Sequence, residues 1–126
     1  MIINSVSCVN VPTQYAGIAA LDGPEDSLNL MMKKFTQRRN LIHKLLNDLP
    51  GVECSLPGGA FYAFPNVKKT GMSGAEFAKK CMYEAGVAIV PGTAFGNNAE
   101  DFVRFSFAAS TENISQALEN IKKMLG

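Results

Sequence analysis

Phe102-Val103-Arg104-Phe105-Ser106-Phe107 is the stretch that decides how this chain is read. Val103, Phe105 and Phe107 recur at every second position, the period of a strand with one buried face. Phe102, Arg104 and Ser106 share the other face. An arginine in the middle of so apolar a strand needs a reason. Its guanidinium is always charged, and burying it without a partner costs several kcal/mol. Arg104 should therefore face an internal carboxylate, or a cavity where a ligand carboxylate binds its planar fork in bidentate fashion. A third possibility is an edge-strand arginine that reaches solvent or pairs with Glu100 or Asp101. Residue type alone favours that structural reading.

Outward from this strand the chain alternates helices and strands. On the C-terminal side Ser110 caps a helix that carries Ile114, Ala117, Leu118, Ile121 and Leu125 at helical spacing. Lys122 and Lys123 fall in its last turn, where the helix dipole favours cations. On the N-terminal side Val87 to Val90 reads as a β-branched strand closed by Pro91-Gly92. Before it, Ser73-Gly74-Ala75-Glu76 is a capping box. The helix it opens should bury Phe77, Cys81 and Met82 and stop at Gly86, a suitable residue just past a helix end. Gly59 to Phe64 reads as a strand ended by Pro65-Asn66, and Val52 to Leu56 as a short edge strand. A helix of about 26 residues, ~39 Å long at 1.5 Å each, is expected from Pro24 to Leu49. Such a helix would overhang a domain of this size, which points to another domain beside it. Pro12 to Leu21 is a further helix, with Pro12 at its first position.

The order ααββαββα implies an α+β fold: a two-layer sandwich, a small mainly antiparallel sheet covered by helices, preceded by a long helix. Residues 1–23, 24–49 and 50–126 are the expected segments. The two glycine-bearing turns, Pro57-Gly58-Gly59 and Pro91 to Gly96, allow close backbone approach to a ligand but are also common in tight turns.

Composition narrows the function. The chain has 126 residues and a formal net charge of +1, which argues against a nucleic-acid partner. Lys33, Lys34, Arg38 and Arg39 cluster on one helix and read as a solvated or partner-contacting face. Three cysteines, Cys8, Cys54 and Cys81, form no C-x-x-C pair, so a reducing, cytoplasmic setting is expected, with neither disulfide framework nor zinc site. With a single histidine, His43, a histidine-based metal site is not expected. His43 itself reads as a surface residue. Cys81 reads as a small core hydrophobe, and Met31-Met32 as packing at a helix or subunit contact. No secretory signal and no membrane span is expected. Asn113-Ile114-Ser115 matches the glycosylation tripeptide by chance.

Five segments together resemble the C-terminal, small-domain part of fold-type-I pyridoxal-phosphate aminotransferases, the aspartate-aminotransferase-like (class I/II) family. Gln14 with Ala16 to Leu21 is similar to the helix near the end of that family's large domain. Phe35 with Arg38-Arg39 and Leu41 resembles its F-x-x-R-R-x-x-L stretch. Pro57 to Pro65 resembles P-x-G-A-F-Y-x-F, Gly86 to Gly96 resembles V-x-x-x-P-G-x-x-F-G, and Val103 to Ala108 resembles V-R-x-S-F-A. The resemblance implies that residues 24–49 are an interdomain helix and that Arg104 binds the substrate α-carboxylate. It further implies an amino acid and a 2-oxo acid as substrates, pyridoxal phosphate as cofactor, a missing N-terminal large domain and a homodimeric parent.

The resemblance also has a gap. The family's chemistry needs a lysine in an S-x-x-K setting, and none of the nine lysines here follows Ser or Thr by three residues. The chain by itself is therefore expected to be inactive and to bind no cofactor. Two other readings stay open: an aminotransferase-like ligand-sensing domain of a transcription regulator, and a free-standing binding or assembly module. Tyr15, Ile18, Ala19 and Leu21 are expected to form an apolar patch that drives self-association of the isolated chain.

Overall fold

The computed structural model describes residues 8–126. Their contacts divide into two units, one up to Met31 and one from Met32 to Gly126. The first contains α1 (Val11–Asp22), capped by the Asn10 side chain, which accepts the Thr13 N–H at 3.0 Å. The helix starts at Val11, one residue earlier than expected, so Pro12 takes its second position. No residue of α1 is buried, and Val11, Tyr15, Ile18 and Leu21 stand exposed. The long helix α2 (Asp26–Asn47) begins in this unit and continues into the next. It has 22 residues, shorter than expected at both ends; beyond Asn47 the chain turns, with the Leu49 N–H bonded to the Leu46 carbonyl.

The second unit is the α+β layer pair the strand pattern implied. Its strands are β1 (Tyr62–Ala63), β2 (Val90–Pro91) and β3 (Val103–Ser106). They lie in the order β1-β3-β2, both pairings antiparallel, so β3 is central. Tyr62 stands opposite Ser106 and Val90 opposite Arg104. Helices α3 (Gly74–Lys80) and α4 (Thr111–Leu125) complete the unit. The core joins Ile42 and Leu46 of α2, Phe77 and Ala78 of α3, Val103 and Phe105 of β3, and Ile114, Leu118 and Ile121 of α4. Phe77, Val103 and Ile121 are fully enclosed. Fully burying one such side chain is worth about 1.5–3 kcal/mol, and these three are spread over a helix, the central strand and the last helix.

The expected caps are present. The Ser73 hydroxyl accepts the Glu76 N–H at 3.3 Å while the Glu76 carboxylate accepts the Ser73 N–H at 2.9 Å. The Ser110 hydroxyl accepts the Asn113 N–H at 3.1 Å.

Three expectations give way to local chemistry. Val52 to Leu56 is not a strand. Glu53 exchanges both backbone bonds with Asn66, but no further pair continues the ladder; the Cys54 N–H and carbonyl, which face the opposite edge, are bound by the Asn47 side chain at 2.9 Å each. The strand expected from Gly59 shrinks to two residues because Ala60 adopts a left-handed backbone, φ 57°. Val87 to Ile89 leaves the sheet because the helix before it ends in a wide π turn, Cys81–Ala85, and the Val87 N–H bonds back to the Cys81 carbonyl. Met82 is 58% exposed, and Ala78 and Ala85 rather than Met82 join Phe77 and Cys81 in the core. No helix among the described residues is long and apolar enough to cross a membrane.

Candidate substrate-carboxylate site

Arg104 sits at the middle of the sheet, not at its edge, and is half-buried. The edge-strand reading therefore does not apply. Nor does Arg104 pair with Glu100 or Asp101, the alternative partners; the Asp101 carboxylate accepts from the Lys68 ammonium at 2.8 Å, and this contact raises the Lys68 pKa. The ion pairs among the described residues are Lys44–Asp48, Lys68–Asp101, Lys69–Glu53, Lys80–Glu84 and Lys123–Glu119, and Arg104 belongs to none of them.

Two aromatic rings hold it instead. The guanidinium carbon lies 4.3 Å from the centroid of Tyr62 and 4.1 Å from that of Phe95. Tyr62 reaches it because it pairs with Ser106 across β1 and β3. Arg104, two residues before Ser106, is thus its diagonal neighbour on the same face. Phe95 arrives from the other side, in the helical turn Gly92–Phe95 that follows β2. That turn is anchored by the Gly92 N–H, which donates to the Phe102 carbonyl at 2.8 Å. Both rings are buttressed in turn: Phe61 lies 4.5 Å from Tyr62, and Phe64 6.1 Å from Phe95.

This arrangement is chemically specific. A ring attracts the cation through its face, but accepts none of the five N–H donors in the way a carboxylate does. Arg104 is thus held with no carboxylate or carbonyl on its hydrogen-bonding edge among the described residues. Of the two glycine turns, only one is a close approach. A Cβ on Gly92 would stand 2.3 Å from the Ala99 carbonyl oxygen, whereas one on Gly58 or Gly59 would meet nothing within 4 Å.

Tyr62 and Phe95 fall within the motif segments Pro57 to Pro65 and Gly86 to Gly96, but nothing in the sequence gives either a role. Strand alternation puts Tyr62 on the face opposite Ala63, but only the pairing register brings it to Arg104.

The chain can also be set beside known proteins. Residues 1–121 match the family described as aminotransferase class I and II. The chain belongs to that family. It fits the C-terminal, small-domain portion. An aspartate aminotransferase of Pyrococcus horikoshii is 41% identical over 114 residues, covering 89% of this chain and 29% of that protein. The (5-formylfuran-3-yl)methyl phosphate transaminase of Methanocaldococcus jannaschii is 42% identical over 120 residues, covering 93% of this chain and 31% of that protein. Among solved structures, an alanine aminotransferase from Pyrococcus furiosus superposes with a TM-score of 0.88 at 37% identity, over 94% of this chain and 30% of the other. The chain thus spans about 30% of the length of the relatives it matches.

Members of this family imply pyridoxal phosphate, and the residues present do not fit its covalent attachment. One route to such a nucleophile is desolvation in an apolar pocket, and no lysine of the described residues has it. Here Lys33, Lys34, Lys44, Lys68, Lys69, Lys79, Lys122 and Lys123 are exposed, and the half-exposed Lys80 points at Glu84, 3.8 Å away.

Proposed function

We propose that this chain is the substrate-carboxylate half of a pyridoxal-phosphate aminotransferase that moves an amino group between an amino acid and a 2-oxo acid. The observation that carries the reading is Arg104: a central-strand guanidinium held by two rings, with no carboxylate partner among the described residues. Membership of the aminotransferase family supports the same role. Arg104 would take the α-carboxylate in bidentate fashion and fix the amino acid so that its Cα–H bond faces the reacting centre, an entropic contribution to rate. Pyridoxal phosphate, when bound, supplies the electron sink for that chemistry. It would be held by residues outside this chain, so the 126 residues alone would be inactive.

In this reading residues 1–23 end the large-domain region, residues 24–49 form the interdomain helix and residues 50–126 the small domain. The parent would be a cytoplasmic homodimer of amino-acid metabolism, and the three free cysteines Cys8, Cys54 and Cys81 agree with a reducing compartment. The donor amino acid is left open, because relatives of nearly equal identity bear the names of different substrates.

The test is Arg104→Ala in the polypeptide that carries this chain. Breaking a buried, hydrogen-bonded charge pair costs about 2–5 kcal/mol, and that loss should appear in kcat/KM. A wild-type kcat/KM in the variant rejects the assignment.

A further inference from the structure

We propose that Tyr62 and Phe95 are positioning residues for Arg104, a pair of rings that aims the guanidinium at an incoming carboxylate without neutralising it. The inference rests on the reading of Arg104 as the carboxylate site.

The rings come from the two flanks of the central strand: Tyr62 belongs to β1, and Phe95 to the turn after β2. At 4.3 Å and 4.1 Å from the guanidinium carbon, both lie well inside the ~6 Å range of cation–π attraction. Within the described residues neither ring is enclosed: Tyr62 is 36% and Phe95 49% exposed. A carboxylate at either position would hold the arginine too, but it would occupy the N–H edge that the substrate must use. Binding would then require its displacement. Rings avoid that competition, and they also limit the rotamer freedom that a long side chain otherwise surrenders when its ligand arrives.

The experiment uses the pyridoxal-phosphate-loaded full polypeptide carrying this chain. The L-amino acid is the one giving the highest kcat/KM in a panel run against 2-oxoglutarate and pyruvate, and the better of those two oxo acids is the probe. Phe95→Leu and Tyr62→Leu are expected to raise the KM for that oxo acid, and its calorimetric Kd, each by about three- to thirty-fold, with kcat little changed. Phe95→Tyr and Tyr62→Phe keep the ring and are expected to retain wild-type values. Should one leucine variant fail to fold, the other decides, because the two rings sit on different elements.

Leucine variants with wild-type KM and Kd overturn the proposal. So do ring-retaining variants as impaired as the leucine ones, which would mean packing or the Tyr62 hydroxyl matters instead. Arg104→Lys, measured alongside, separates the two levels. If it too keeps wild-type KM and Kd, the carboxylate site itself is wrong; if it is impaired while the leucine variants are not, only the ring pair fails.

Discussion

Gly92 lies directly beneath the backbone of Phe102: its N–H donates to the Phe102 carbonyl at 2.8 Å, and a Cβ at residue 92 would stand 2.7 Å from that same oxygen. The obstructing atoms are backbone, so neither can swing aside. Gly92→Ala should therefore force the turn away from the entry to β3 at a cost of about 1–3 kcal/mol, the usual range for overpacking. Urea denaturation should show a lower midpoint with an unchanged slope. A wild-type midpoint would mean that the turn gives way more easily than its contacts suggest.

The capping box at the start of α3 makes a pH-dependent contribution. Hydrogen bonds from the Ser73 hydroxyl, and then from its backbone N–H, hold the Glu76 carboxyl below its usual value. A carboxyl with a depressed folded pKa adds stability above its unfolded value of 4.5 and loses it as pH falls through the lower folded value. The stability difference between wild type and Glu76→Gln should accordingly shrink as pH drops from 6 to 3. Ser73→Ala should cost about 0.5–2 kcal/mol at neutral pH. Thermal melts across that range check both, and a difference independent of pH would contradict the assignment.

The thiols should separate by reactivity. Burial pushes Cys81 up to about 12 and raises Cys54 as well, while Cys8 is exposed. Only the thiolate attacks an alkylating reagent. Iodoacetamide at pH 8 under native conditions should label Cys8 well before the other two, as read by peptide mass spectrometry. Because the unfolded chain gives up these protons near 9 and the folded chain does not, stability should also fall as pH rises above about 9.

The apolar surface of α1 predicts how the isolated chain behaves. Tyr15 at 70% and Leu21 at 88% exposure leave large side chains uncovered on that helix. The 126-residue chain should bind a hydrophobic dye and sediment as an oligomer at micromolar concentration, and Ile18→Glu with Leu21→Glu should reduce both. A monodisperse chain that binds no dye would rule this out.

Much of the unit beyond Met31 was legible where a short-range rule governs. The alternation of Val103, Phe105 and Phe107, the capping box at Ser73 and the spacing of Ile114, Leu118 and Ile121 are all decided by neighbours a few residues away. What escaped depends on partners beyond the next turn of chain, or on a backbone angle that the residue type does not announce. Nothing near Val52 announces that the Asn47 amide will take both polar groups of Cys54. Ala60, lacking the glycine that usually marks a left-handed backbone, gives no local sign of the turn that trims β1. Arg104 stands out within its own strand, but its central place follows from the pairing of β3 with both β1 and β2. Its ring neighbours lie 42 and 9 residues away in sequence, and only the register joins them.

The wide turn at Cys81–Ala85 carries one residue more than an α-helix would need to reach Gly86. Its outward residues Met82, Tyr83 and Glu84 are exposed, while the flanking Cys81 and Ala85 are the ones held in the core. The chain therefore has slack in its length at this point. Losing one of the three exposed residues would let the segment tighten into ordinary helix with both anchors still seated, so a single deletion among residues 82–84 should leave the sheet unchanged.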